Sequence, residues 1–189
     1  MVDLALARRG PLDGIDLASP ADPHAAIVPL PERARFIVRG RDRLPAAAAA
    51  VLGFPLPVEV CRAASAGDAA ALWLGPDEWL VIGPDVAHKA LARDLADALS
   101  GVPHALVDVS HRSSGVVLSG PKAAFVLNHG CPLDLGLGAC PVGMCTRTLV
   151  GRTEAILWRT GETEFQVKVW RSFVAYLVDF LREARREFE

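Results

Sequence analysis

The chain is predicted to fold as an α+β domain made of two similar fused halves, each a mixed or antiparallel sheet covered by helices. Three observations carry that reading. Shifted by 80 positions, A-I-V-P-L-P-E-R-A-R-F-I-V-R-G (Ala26–Gly40) lies without a gap on L-V-D-V-S-H-R-S-S-G-V-V-L-S-G (Leu106–Gly120). Each copy then reaches a hairpin that carries a Leu-Trp pair, Leu72-Trp73 in the first and Leu157-Trp158 in the second. A longer amphipathic helix closes each copy.

Taken in order, residues 1–24 hold Pro11, Pro20 and Pro23 with little periodicity, and are expected to form an arm that lies across a partner. The remainder, 25–189, reads as one domain of two halves, about 25–103 and 104–189. Each copy opens with two apolar runs. A proline then suits a first helical turn, Pro45 in one copy and Pro121 in the other, because its missing N–H would have no partner there. The short helices stop at Gly53 and Gly130. Hairpins follow, turning at Gly75-Pro76-Asp77 and near Gly161, with Trp79 matching Phe165.

The first closing helix presents Ala87, Ala90, Leu91, Leu95, Ala98 and Leu99 as one stripe, with Asp85 its expected N-cap. The second presents Phe173, Leu177, Phe180, Leu181, Ala184 and Phe188. Its late Arg182, Arg185 and Arg186 complement the helix dipole.

Composition excludes several classes. The net charge of −2 offers no basic field for nucleic acid or anionic lipid. The longest apolar stretch, Leu44 to Val58, is interrupted by Pro45, Gly53, Pro55 and Pro57, so it does not span a membrane. Residues 1–10 lack a basic start followed by an apolar run, and a cytoplasmic address is expected. Cys61, Cys131, Cys140 and Cys145 lack the paired short spacing of a zinc site and read as free thiols.

No motif of this chain supplies a catalytic, cofactor-binding or metal site. Gly136-Leu137-Gly138 opens no helix and reads as a turn rather than a phosphate cradle. Asp108, Ser110 and His111 contain the elements of a nucleophilic triad, but neighbours on an extended strand point to opposite faces. Asp108 and Ser110 are therefore expected to hydrogen-bond a bend while His111 and Arg112 face water or a partner. Asp77-Glu78 is expected in a solvated turn, and Trp73, Trp79 and Trp158 in the core or at its margin. Trp170, read as opening the last helix, is the tryptophan expected at an interface. Asp108, Ser110, His111, Arg112 and Trp170 are thus the candidate partner contacts.

Asp-Val-Ser-His-Arg (Asp108–Arg112), Leu-Ser-Gly-Pro-Lys-Ala (Leu118–Ala123), Leu74–Leu80 and Leu157–Gly161 running on to Arg171-Ser172-Phe173 resemble the gamma subunit of heterotetrameric sarcosine oxidase. The resemblance covers most of Arg35 to Leu181. That subunit is similar in turn to the folate-binding domain of aminomethyltransferases, which implies the same fold here. The family's enzyme demethylates sarcosine oxidatively to glycine, releases peroxide and can pass the one-carbon unit to tetrahydrofolate.

The resemblance implies a non-catalytic chain in an assembly with alpha, beta and delta subunits. It implies no cofactor in this chain. FAD, FMN, NAD, tetrahydrofolate and zinc are implied for the partner subunits. The alternative is a stand-alone folate-binding one-carbon transfer module. Against that alternative, Thr148–Ala155 lacks the paired glycines of the aminomethyltransferases and offers only Glu154. A third reading is a small hydrolase built on Ser110 or Ser113.

Overall fold

The structure, a computed structural model, describes residues 10–15 and 22–188. The expected arm 1–24 therefore lies largely outside the described residues. In the described part, Leu12 and Ile15 pack against the core.

The element order runs twice through the same series. The first pass is β1 (Ala26–Pro29), β2 (Arg33–Gly40), α1 (Leu44–Ala47), α2 (Ala49–Leu52), β3 (Ala63–Ala66), β4 (Ala69–Gly75), β5 (Glu78–Pro84) and α3 (His88–Leu99). The second is β6 (His104–Asp108), β7 (Ser113–Ser119), α4 (Ala123–Asn128), β8 (Cys145–Val150), β9 (Thr153–Gly161), β10 (Glu164–Trp170) and α5 (Val174–Arg185). A 3₁₀ turn precedes each long helix, Asp85–Ala87 and Arg171–Phe173.

Among the described residues the strands form two five-stranded sheets, ordered β1-β7-β10-β9-β8 and β3-β4-β5-β2-β6. Every recorded pairing is antiparallel. The opening strands change places. β1 pairs with β7, from Ala26↔Ser119 to Pro29↔Val116, while β6 pairs with β2, from Phe36↔Asp108 to Gly40↔His104. Each sheet is thus completed by a strand from the other pass.

Alternation along the strands builds three apolar layers. Phe36 and Val38 on β2 and Trp79 and Val81 on β5 meet Leu44, Leu52, Leu95 and Leu99 of α1–α3. Phe165, Val167 and Val169 on β10 meet Val126, Leu127, Leu177 and Leu181 of α4 and α5. The intervening residues Ile37, Leu72, Leu80, Ile82 and Ile156 pack sheet against sheet. Helix, sheet, sheet, helix is the resulting stack. The Trp79 indole N–H, carried into the core, donates to the Pro57 carbonyl at 2.7 Å, so its burial leaves no orphan donor.

The sheets also join along one margin. Arg62 bridges to Met144, with Cys145 N donating to the Cys61 carbonyl and Ala63 N to that of Gly143, both at 2.8 Å. Nearby, Arg147 donates to the Leu74 carbonyl at 3.1 Å and pairs with Glu78.

Local readings shift in four places. Glu78 is not a solvated turn residue, because Arg147 from the other sheet reaches it. Asp85 sits in the 3₁₀ turn rather than capping α3, whose N-cap position is Ala87. Trp170 ends β10 instead of opening a helix. Phe173 falls in the second 3₁₀ turn and is exposed, while Val174 and Val178 take the buried stripe of α5.

Gly115 shows how closely β7 and β10 approach. A Cβ built there would stand 2.1 Å from the Val167 carbonyl oxygen, a contact that backbone cannot relieve without moving. Gly115→Ala is expected to destabilise the fold by about 1–3 kcal/mol, the usual penalty of forced overpacking. A lower urea midpoint with an unchanged slope would register it.

Candidate partner-contact site

The polar joint connects β6 in one sheet to β7 in the other, and as its backbone turns Val109 N still donates to the Arg35 carbonyl of β2 at 2.8 Å. Asp108 organises the turn. Its Oδ1 accepts from the Ser110 amide at 2.9 Å and from the Ser110 hydroxyl at 2.6 Å, a short local bridge of the Asx type. Ser110 is buried, and its Oγ accepts the Arg35 backbone N–H at 3.0 Å, fastening the joint to β2. Arg35 returns the contact, donating through Nη1 to the carbonyls of Ser110 at 3.0 Å and Ser113 at 3.2 Å.

His88, at the start of α3, donates from Nε2 to Asp108 Oδ2 at 2.8 Å and stacks on Phe36 with ring centroids 5.4 Å apart. The order is therefore serine, aspartate, histidine. A nucleophilic triad needs the histidine against the serine, and here Asp108 separates them. The Ser110 hydroxyl is committed and enclosed. A hydrolase built on Ser110 has no geometry to rest on.

Burial alone would raise the Asp108 pKa. The Ser110 hydroxyl and amide, with His88, outweigh it and hold the carboxyl below its usual value. Among the described residues no group of three or more His, Cys, Asp and Glu could hold a metal ion. All four cysteines are free thiols, and burial pushes Cys145 up to about 12, which keeps it protonated and unreactive.

Beyond the joint, the inner face of β7–β10 runs past the margin of the second sheet and lies open. Trp170 is 53% exposed there, with the Arg112 guanidinium 5.6 Å from its ring centroid. The Arg171 amide donates to the Arg112 carbonyl at 2.9 Å and fixes the pair side by side. Arg147, Leu149 and Glu154 complete an open cleft of about 400 Å³ with Lys168 in its lining. Thr148–Ala155 contributes as a tight hairpin turning at Gly151-Arg152. Of the five candidates, Arg112 and Trp170 line this cleft, Asp108 and Ser110 build the joint behind it, and His111 lies exposed on the joint.

Sequence reasoning missed His88, Arg35 and Lys168. His88 and Arg35 are separated from the joint by many residues, and no spacing rule connects them. Lys168 sits at a polar phase of F-Q-V-K-V-W that reads as a solvated face. The neighbouring Ile156 and Trp158 on the same face were the available signal that this face is covered.

The model of the family described as "Sarcosine oxidase, gamma subunit family" matches residues 39–187. The chain is 36% identical to the sarcosine oxidase subunit gamma of Arthrobacter sp., over all of this chain and 95% of that one. It is 35% identical to the same subunit of Corynebacterium sp. (strain P-1), with the same coverage. Among solved structures, a chain of the heterotetrameric sarcosine oxidase from Corynebacterium sp. U-96 superposes with a TM-score of 0.86 at 31% identity, covering 96% of both chains. The glycine cleavage system aminomethyltransferase T from Bartonella henselae shares the fold, with a TM-score of 0.61 at 15% identity over 84% of this chain and 45% of that one.

Two outcomes follow from the joint. Ser110→Ala strands the buried Arg35 amide and is expected to cost about 1–3 kcal/mol in chemical denaturation. Because the Asp108 pKa is lower folded than unfolded, its contribution is present above the unfolded value near 3.8 and is lost as pH falls through the folded value. Asp108→Asn should therefore flatten the acid limb of a Tm-against-pH curve. An unchanged acid limb would show that the carboxylate does not couple to folding.

Proposed function

The chain belongs to the sarcosine oxidase gamma subunit family, and we propose that it serves as a non-catalytic assembly subunit of a heterotetrameric sarcosine oxidase. The observation that carries this reading is the match of both sequence and fold along almost the whole length of gamma chains. In this reading alpha, beta and delta subunits surround it in the cytoplasm. The flavins FAD and FMN, with NAD, tetrahydrofolate and zinc, belong to those partners. The reaction they carry out is the oxidative demethylation of sarcosine to glycine, with peroxide release and one-carbon transfer to tetrahydrofolate. No helix among the described residues is long and apolar enough to cross a membrane.

The chain acts as one domain of two halves, 25–103 and 104–189, preceded by the arm 1–24. Its contact with the partners is placed at the joint and the open cleft. An exposed tryptophan beside an arginine, ringed by Leu149 and polar groups, has the composition of an interface hot spot. Asp108 and Ser110 shape the backbone beneath. His111, Arg112 and Trp170 meet the partner.

Co-expression with alpha, beta and delta chains tests the assignment. The expected result is one complex that contains all four, whose oxidase activity or lifetime falls when this chain is omitted. A monomeric chain beside a fully active complex of the other three would overturn it. Trp170→Ala is expected to weaken incorporation about tenfold or more while leaving the Tm of the free chain nearly unchanged, since the ring is half exposed. Quantitative pull-down and thermal melts read the two quantities separately.

A further inference from the structure

Between the sheets, on the side away from Trp170, a second cleft encloses polar groups, among them two N–H donors without an acceptor. Arg35 on β2 and Lys168 on β10 are only 3% and 4% exposed. Lys168 Nζ donates to Gln166 Oε1 at 2.7 Å and lies 5.4 Å from the Trp158 ring centroid. Arg35 commits Nη1 to two carbonyls, but its Nε is buried with no acceptor. The Trp158 indole Nε1 is likewise buried without one.

These four side chains line one cleft of about 290 Å³, walled by apolar groups that include Ile82 and Val117. Among the described residues Asp68 is the single carboxylate in that lining, and it is 74% exposed and paired with Arg33 at 3.3 Å. Glu32 and Asp85 act on Arg35 through space, but neither lines the cleft.

A buried charge without a counter-ion is costly, and so is a buried N–H without an acceptor. Burial first, and then the charge of Arg35, brings the Lys168 pKa down to about 7, with Cys145 acting weakly in the opposite sense. The Arg35 cation, a Lys168 that an anion would hold protonated, and two orphan donors around a small, partly apolar hollow form the complement of an anion.

We propose that the cleft between β2 and β10 is a binding site for a small monocarboxylate with a short apolar body. Lys168 Nζ, Arg35 Nε and Trp158 Nε1 donate to its two oxygens. The volume lies at the lower end of the range for ligand pockets, which favours a short chain. The paired cations disfavour an amine or a zwitterion, whose ammonium would add to the repulsion. The site involves only this chain and stands independently of the assembly reading.

Butyrate is the probe, and butanamide its uncharged counterpart. Titrated into the full-length chain, butyrate is expected to bind and to raise the Lys168 pKa by about a unit or more, followed through the lysine side-chain nitrogen resonance. Butanamide should do neither. Trp158→Phe, which deletes one donor and keeps the ring, should weaken butyrate about three- to tenfold, and Lys168→Met by more than tenfold. Equal binding of the acid and the amide, or a Lys168 resonance indifferent to butyrate, would overturn the proposal. Because the resonance is read in the unaltered chain, the test holds even where Lys168→Met fails to fold.

Discussion

The exchange of opening strands governs this molecule. β7 and β2 each need a neighbour on their outer side, because an unpaired strand edge exposes a row of N–H and C=O groups. Neither pass of the chain supplies that neighbour to its own sheet. β1 completes the second and β6 the first. Neither sheet reaches five strands without the other, and the chain must cross between them twice, after Pro29 and after Asp108.

Those crossings explain the candidate site. A crossing segment leaves one ladder before it joins the next, so its polar groups must be satisfied locally or by a fixed neighbour. At the second crossing Asp108 and Ser110 do this, with Arg35 and His88 drawn in from the first pass. The first crossing has Val28, Pro29 and Leu30 at the positions equivalent to Asp108, Val109 and Ser110, with Leu30 N donating to the Gly115 carbonyl at 2.9 Å. The same path is held by different chemistry, so Asp108-Val109-Ser110 is one solution to a structural need rather than a catalytic remnant. Trp170 carries no such burden, and its ring is half exposed beside Arg112.

Stacking the sheets face to face has a second consequence. An antiparallel sheet usually keeps one face wet. Here both faces are covered over most of their area, by helices outside and by the other sheet inside. Polar residues on the inner phase of a strand are therefore enclosed wherever the sheets overlap, as Lys168 and Arg35 are, and open wherever they diverge, as Trp170 is. The two clefts lie where the overlap ends.

Much of this could be read from the chain alone. The gapless repeat of 26–40 on 106–120 coincides with β1–β2 and β6–β7, and the hairpin and helix positions follow their turn residues, because those signals act over a few residues. The α+β class, the helical coverage and the bend at Asp108–Ser110 are local consequences of apolar period and turn chemistry. The strand exchange, the Arg147–Glu78 contact between sheets, the His88–Asp108 pairing and the burial of Lys168 belong to the tertiary structure. Strand pairing joins residues far apart in the chain, and a period of two says which residues share a face without saying what covers it. Sequence thus determined the elements and their faces, and only the packing of sheet on sheet decided which polar face would be wet and which would be sealed.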